Sequence, residues 1–107
     1  NVSKPQEVAS VTARLKALAM ELDLPIVILA QLNRLVDKGD AFPTTADIAD
    51  SSAIEKDSDH VLILHWLDDS PTSQRAVLRV AKNRLGVKDL DIKLSSNMGF
   101  GRFEEAR

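Results

Sequence analysis

Two short polar segments contain the residues with the strongest claim to chemistry. Gln31-Leu32-Asn33-Arg34 directly follows the apolar segment Pro25–Ala30, and Lys82-Asn83-Arg84 lies at the tip of a predicted strand–turn–strand. Ligands of open α/β sheets bind beyond the carboxyl ends of the strands, so the first segment is a candidate site. The two cations of the second segment suit phosphate oxygens. Ordinary polar residues at a strand end and a solvated turn are the respective alternatives.

A third polar segment, Asp47–Asp59, has five carboxylates and the pair Ser51-Ser52. Carboxylate oxygens can hold a hard cation, but the glycine-centred spacing of a calcium loop is absent. We therefore interpret the segment as a solvated acidic helix with capping serines, and expect no metal. His60 and His65 are five residues apart, on opposite faces of a strand, and are not expected to form a ligand pair. Trp66 is expected in the core or at its rim.

Composition limits the classes of function. The chain contains no cysteine, no apolar segment of membrane-spanning length and no signal-peptide pattern, which is compatible with a cytoplasmic protein. It also lacks the GxxxxGK[ST] and GxGxxG phosphate-binding motifs. The net charge is −2, and residues 79–107 carry seven basic against four acidic residues, so DNA contact would have to be local or shared among several copies. The sequence therefore does not support the hypothesis that this chain is an enzyme by itself.

Apolar periodicity predicts a first helix and two buried strands that would position the Gln31 segment. The helix carries a capping box of Ser3 and Gln6 and ends before Pro25. Its apolar face is formed by Val8, Val11, Leu15, Leu18 and Leu22. Pro25–Ala30 and Val61–Leu64 are continuously apolar, which is typical of parallel strands covered on both faces. The second strand continues into His65 and Trp66.

The remaining elements would position the acidic segment and the cation pair. We predict a loop over 35–45, a short helix over 53–58 capped by Ser52 with Glu55, and a turn over 68–73. A strand over 76–82 and a turn over 83–89 would present Lys82 and Arg84 on one side. An alternating edge strand over 90–95 and a last short strand within 100–105 follow. The fold class is α/β with a mixed sheet.

The order of these segments resembles the DnaB-like hexameric helicases. The resemblance is carried almost from end to end by QLNR at 31–34, by Ser51-Ser52-Ala53-Ile54-Glu55-Lys56-Asp57-Ser58-Asp59, and by Lys82-Asn83-Arg84-Leu85-Gly86. It implies the C-terminal half of a RecA-like domain, a three-layer sandwich of the P-loop NTPase type. The phosphate loop and the Walker B strand would precede residue 1. A recombinase-type ATPase and a non-catalytic, helicase-derived interaction module are the alternatives.

The resemblance also implies roles for individual residues. Gln31 matches the glutamine that senses the γ-phosphate and links hydrolysis to the DNA loops. Lys82 and Arg84 match a cation pair that reaches the nucleotide of a neighbouring subunit, as an arginine finger does. The expected cofactors of the intact parent are ATP and Mg²⁺, and the expected partners are single-stranded DNA and the other subunits of a hexamer. The segment alone is expected to bind no nucleotide and to be inactive.

The proposed DNA loop departs from the family pattern. The residues expected to line the DNA channel are Ala49, Asp50, Ser51 and Ser52. Family members commonly carry arginine, glutamate and glycine where this chain has Ala49, Asp50 and Ser52. The arginine's phosphate contact is therefore missing, and DNA contact would depend on main-chain N–H groups.

The RecA-like strand order has a consequence for assembly. The phosphate-loop strand would lie between the two buried strands, so the 107 residues alone would leave a gap in the sheet. Unpaired apolar edges favour association. We therefore expect either a fragment of a longer parent or an obligate oligomer.

Overall fold

The computed structural model describes residues 3–32, 42–49, 51–67 and 74–106, without the side chain of Ser51. The chain divides into two compact units, Asn1–Asp59 and His60–Arg107, and each is described by itself. Asn33, Arg34, Asp50 and the turn predicted over 68–73 lie outside the described residues, as does most of the loop predicted over 35–45. Within the described part of the chain, no helix is long and apolar enough to cross a membrane.

The first unit begins with helix α1, Lys4–Leu22, as predicted. The Ser3 hydroxyl accepts the N–H of Gln6, and the Gln6 side chain accepts the N–H of Ser3, which confirms the capping box. At the other end Asp23 adopts a left-handed conformation with φ of 53°, and the Leu24 N–H donates to the Ala19 carbonyl at 3.1 Å. The helix therefore ends before Pro25, as expected.

The buried face of α1 differs from the predicted apolar face. Thr12 is the buried residue of the helix at 6% exposure, whereas Val11, Leu18 and Leu22 are exposed. Thr12 is buried because its hydroxyl has a carboxylate partner on helix α2, Ser51–Asp57. The apolar pattern predicts that leucine and valine side chains are buried on α1, whereas the buried side chain of this helix is the hydrogen-bonded Thr12.

The predicted buried strand over 25–30 is not formed among the described residues. Val27 is 86% exposed and Leu29 is 93% exposed, and none of the described strands pairs with this segment. A strand needs a hydrogen-bonded neighbour, so an apolar sequence does not form one where no neighbour is present. One residue pair does form beyond it, an antiparallel bridge between Leu32 and Ile48.

Two short helices follow in the first unit. A 3₁₀ helix, Thr45–Asp47, precedes α2, which begins two residues earlier than the helix predicted over 53–58. Ser52 is the second residue of α2, so its predicted role as the capping residue is wrong. A capping residue stands outside the helical backbone, which Ser52 does not.

The second unit is a four-stranded antiparallel sheet in the order β1-β2-β3-β4. Its strands are β1 His60–Trp66, β2 Arg75–Asn83, β3 Leu90–Asn97 and β4 Arg102–Glu105. The pairings of the described strands are antiparallel, and the expected parallel pair is not formed because residues 25–30 lie outside the sheet. The edge position predicted for the strand over 90–95 is wrong, since β4 pairs with its outer side.

Strand β1 is covered on one face, whereas both faces were predicted to be covered. Val61 and Ile63 are buried, while Leu62 and Leu64 on the other face are 56% and 44% exposed. His60 and His65 lie on opposite faces, as predicted. Trp66 packs at the rim of the sheet, with its ring 5.9 Å from that of Phe103.

Between β2 and β3 the sheet has a cross-strand ion pair. The Arg79 Nε and Nη2 atoms donate to the two carboxylate oxygens of Asp91 at 2.6 and 2.8 Å. These hydrogen bonds hold the pKa of Asp91 below its ordinary value and raise the pKa of Arg79. Because both side chains are partly exposed, we expect the pair to add little to the stability of the fold.

Candidate functional site

Gln31 lies where the chain after 25–30 meets the predicted DNA loop. The Ala49 N–H donates to the Gln31 carbonyl at 3.3 Å, beside the bridge between Leu32 and Ile48. Ile48 is buried, and Gln31 is exposed. The Gln31 main chain is therefore anchored to the DNA-loop segment while its side chain stays accessible to a ligand.

Asp47 has a structural role in this segment. Its side chain accepts the Thr44 N–H at 2.8 Å, and the residue is only 9% exposed. The carboxylate thereby caps the 3₁₀ helix that leads into Ile48 and Ala49. The chain approaching Ala49 is fixed by its own hydrogen bonds.

The four predicted DNA-contact residues have different environments. Ala49 lies in an exposed turn, Asp50 is outside the described residues, and Ser51 and Ser52 are the first two residues of α2. Since the Ala49 N–H is bonded to Gln31, this main-chain group is already in use. The segment predicted as a loop is thus partly helical.

Two carboxylates of the acidic segment join α1 to the region of α2. The Thr12 hydroxyl donates to Asp57 Oδ2 at 2.6 Å, and Lys16 Nζ lies 2.6 and 2.7 Å from the two oxygens of Asp59. The sequence pattern predicts a solvated acidic helix here and does not indicate these contacts. The available signal was Thr12, a polar residue inside an otherwise apolar helix pattern. Among the described residues, no group of three histidine, aspartate or glutamate side chains is placed to hold a metal ion.

Lys82 and Arg84 lie at the end of β2 and in the turn that follows it. Lys82 is half-buried and stands opposite Val61 of β1, whereas Arg84 is exposed. The strand ends at Asn83, so the alternation used to place both cations on one side does not extend to Arg84. The structure thus brings together Gln31 with Ala49 in the first unit and Lys82 with Arg84 in the second.

A family model for the DnaB-like helicase C terminal domain matches residues 1–105. The chain belongs to this family of helicase domains.

Curated relatives are replicative helicases. The chain is 40% identical over 88 residues to a probable plasmid replicative DNA helicase of Chlamydia psittaci, with 78% of the chain and 19% of the relative covered. It is 35% identical over 103 residues to the replicative DNA helicase DnaB of Haemophilus influenzae, with 92% and 22% covered. The chain therefore spans about a fifth of the length of these relatives.

Solved structures agree on the fold. A DnaB-like replicative helicase, studied for its interactions with primase, matches with a TM-score of 0.88 and 26% identity. That match covers 100% of the chain and 26% of the helicase. A second structure, of an ATPase domain, matches with a TM-score of 0.86 and 25% identity over 100% of the chain and 39% of that structure's chain. The predicted α/β class and RecA-like ATPase fold are confirmed, and the helicase is favoured over the recombinase-type alternative.

Proposed function

We propose that this chain is part of the motor of a cytoplasmic hexameric replicative helicase, which couples ATP hydrolysis to translocation on single-stranded DNA and to duplex unwinding. The observation that supports this most strongly is the match of the whole chain to a DnaB-like replicative helicase with a TM-score of 0.88. In this proposal residues 1–107 form the C-terminal portion of a RecA-like ATPase domain. The segment by itself is inactive.

The nucleotide would be held mainly by parts of the parent that lie upstream. A phosphate loop and Mg²⁺ would grip the triphosphate and neutralise part of its charge. The residues of this chain that fit the nucleotide are an exposed amide, Gln31, and two cations, Lys82 and Arg84. Amide and cationic groups are suitable donors to phosphate oxygens.

Gln31 would report the state of the γ-phosphate to the DNA-contact segment Ala49–Ser52. The coupling is short, because the Gln31 carbonyl accepts the Ala49 N–H directly. A shift of the Gln31 backbone on loss of the γ-phosphate would therefore move Ala49. Such a shift would alter the grip on single-stranded DNA once in each hydrolysis cycle.

Lys82 and Arg84 would act on the nucleotide of the adjacent subunit. Arg84 lies in an exposed turn, where a cation can reach beyond its own subunit. Fixed positive charge there stabilises the negative charge that develops on the transferred phosphoryl group. Hydrolysis then requires two subunits for each site, so the ring would be the active form.

The test is Arg84→Ala in the full-length helicase polypeptide that carries this segment. Hydrolysis should fall by about 10³-fold or more, as for loss of an arginine finger, while ATP binding to the same subunit is retained. Steady-state hydrolysis and equilibrium binding of a fluorescent ATP analogue measure the two effects. Arg14→Ala, which removes an exposed arginine from α1, is the matched control and should leave both unchanged.

Mixed rings test the trans assignment. Subunits with Arg84→Ala are combined with subunits altered at the phosphate-loop lysine, each inactive alone. Hydrolysis should reappear, because an intact phosphate loop then meets an intact Arg84 at some interfaces. Mixed rings as inactive as the separate variants would show that Arg84 acts within its own subunit. Full activity of the Arg84→Ala ring would reject the proposed motor role of this residue.

A further inference from the structure

The hydrogen bonds of the β2–β3 ladder do not extend to Arg84, so other contacts must hold the turn that contains this residue. Strand β2 ends at Asn83 and β3 begins at Leu90, so Arg84 lies just beyond the regular ladder of the sheet. The turn is closed at its base by the Asp89 N–H, which donates to the Val80 carbonyl at 2.6 Å. This bond joins the two ends of the turn, and Arg84 lies inside it.

The side chain of Asn83 crosses this turn. Its Nδ2 donates to the Val87 carbonyl at 3.2 Å, and the main-chain carbonyl of Asn83 accepts the Gly86 N–H at 3.4 Å. Both bonds enclose Arg84 within a short loop whose ends are tied together. The Asn83 amide therefore supplies one of the hydrogen bonds that close the loop around Arg84, and the main chain supplies the other.

Gly86 provides the space that this amide occupies. A Cβ at position 86 would lie 2.8 Å from Asn83 Nδ2 and 3.5 Å from Asn83 Cγ. Any other residue at position 86 would force the amide to move and would weaken its bond to Val87. Asn83 and Gly86 are thus one device, which we name the amide brace.

Lys82 is placed by a separate irregularity of β2. Val61 pairs with Lys82 whereas Leu62 pairs with Val80, so Ala81 is an extra residue in the ladder. Because Ile63 pairs with Arg79, this one-residue bulge turns Lys82 onto the face of Arg79 instead of the face of Val80. Bulges commonly redirect side chains beside active sites in this way.

We propose that Asn83 is a positioning residue, which acts through the amide brace to hold Arg84 in the conformation that reaches the adjacent subunit's nucleotide. The inference rests on the proposed trans role of Lys82 and Arg84 and identifies what holds Arg84 in place. Catalysis by a fixed charge is sensitive to displacements of about 1 Å, so a modest loosening of the turn has a large effect on the rate.

The experiment compares Asn83→Ala and Gly86→Ala in the full-length helicase polypeptide, at equal ring concentration and saturating single-stranded DNA. Both variants should lower kcat by about 10-fold or more, with KM for ATP within about 2-fold of the parent value. KM is spared because the upstream phosphate loop grips the nucleotide. The two substitutions break the brace from opposite sides, so Gly86→Ala decides the question where Asn83→Ala fails to assemble.

Asn97→Ala is the matched control. Asn97 ends β3 as Asn83 ends β2, and its Oδ1 accepts the Gly99 N–H at 3.2 Å in the next turn, away from Lys82 and Arg84. This variant loses a comparable turn contact and should keep its kcat. An equal loss of kcat in the Asn97→Ala ring would show general destabilisation and overturn the proposal.

The double variant gives a second readout. In the Asn83→Ala background the clash at position 86 disappears, so adding Gly86→Ala should cause no further loss of kcat. Additive losses, or unchanged kcat in both single variants, overturn the role of the brace. Those outcomes differ from failure of the proposed function itself, in which Arg84→Ala would already leave hydrolysis intact.

Discussion

Gln31 joins the proposed nucleotide site to the proposed DNA segment through its main chain, while its side chain remains exposed. The two functions of the residue are therefore separable, since the carbonyl binds the Ala49 N–H and any amino acid supplies a carbonyl. Substitution of the side chain should remove sensing and leave the anchor. The sensor role proposed for the Gln31 side chain can therefore be tested without disturbing the fold.

We expect Gln31→Ala in the full-length helicase polypeptide to reduce the stimulation of ATP hydrolysis by single-stranded DNA by roughly 10-fold or more, because one preorganised donor is lost. Hydrolysis is measured with and without DNA, and circular dichroism confirms the fold. Gln74→Ala, at an exposed position before β2, is the control and should retain full stimulation. Normal stimulation of the Gln31→Ala ring would exclude the sensor role.

Helix α2 is a short element whose position depends on its contacts with α1. The Thr12–Asp57 hydrogen bond joins residues 45 positions apart in the chain, and the Lys16–Asp59 ion pair supports it on the exposed side. We expect the hydrogen bond to contribute more than the ion pair, because the hydrogen bond is partly buried whereas the ion pair is exposed to solvent. These contacts hold the C-terminal end of α2 and, through the helix, its first residues Ser51 and Ser52.

Thr12→Val keeps the shape of the side chain and removes its hydroxyl. We expect a loss of about 1.5–3 kcal/mol in the free energy of unfolding, because the Asp57 carboxylate loses a partly buried donor. Urea unfolding of this chain, followed by circular dichroism, measures the difference. Ser10→Ala removes an exposed hydroxyl from the same helix and should change the stability by less than about 0.5 kcal/mol. Equal stability of Thr12→Val and the parent would show that the bond does not hold α2.

At the scale of the whole chain, a large apolar surface is exposed. Val27 and Leu29 project from a segment without a strand partner in the described structure, and Leu62, Leu90 and Phe103 are exposed on one face of the sheet. Large apolar side chains exposed in this number within each unit are uncommon in a monomeric protein. Exposed apolar side chains of this kind are expected in a segment that is covered by other parts of a larger domain.

We therefore expect the isolated 107-residue chain to self-associate, because its apolar surface is buried by association. Sedimentation equilibrium at micromolar concentrations measures the mass. Replacing Val27 and Leu29 together by lysine should shift the distribution toward the monomer, whereas lysine at the exposed polar positions Ser10 and Gln74 should not. A strictly monomeric, cooperatively unfolding 107-residue chain without substitutions would contradict the expectation.

Short-range patterns were sufficient to predict several features of this protein from its sequence. The capping box of α1, strands β2 and β3, and the turn at Gly86 all depend on residues close together in the chain. Such features follow from local geometry, since a capping box needs residues three apart and a strand face needs residues two apart. The candidate residues Gln31, Lys82 and Arg84 were identified at this level.

Contacts between distant residues decided the rest. Residues 25–30 have the composition of a buried strand, but a strand requires a partner, and its absence from the described structure leaves Val27 and Leu29 exposed. The buried side of α1 was set by the bond from Thr12 to Asp57, and the orientation of Lys82 by the bulge at Ala81. Periodicity contains no information on these partners, because hydrogen-bond pairing across 45 residues is determined only when the chain has folded.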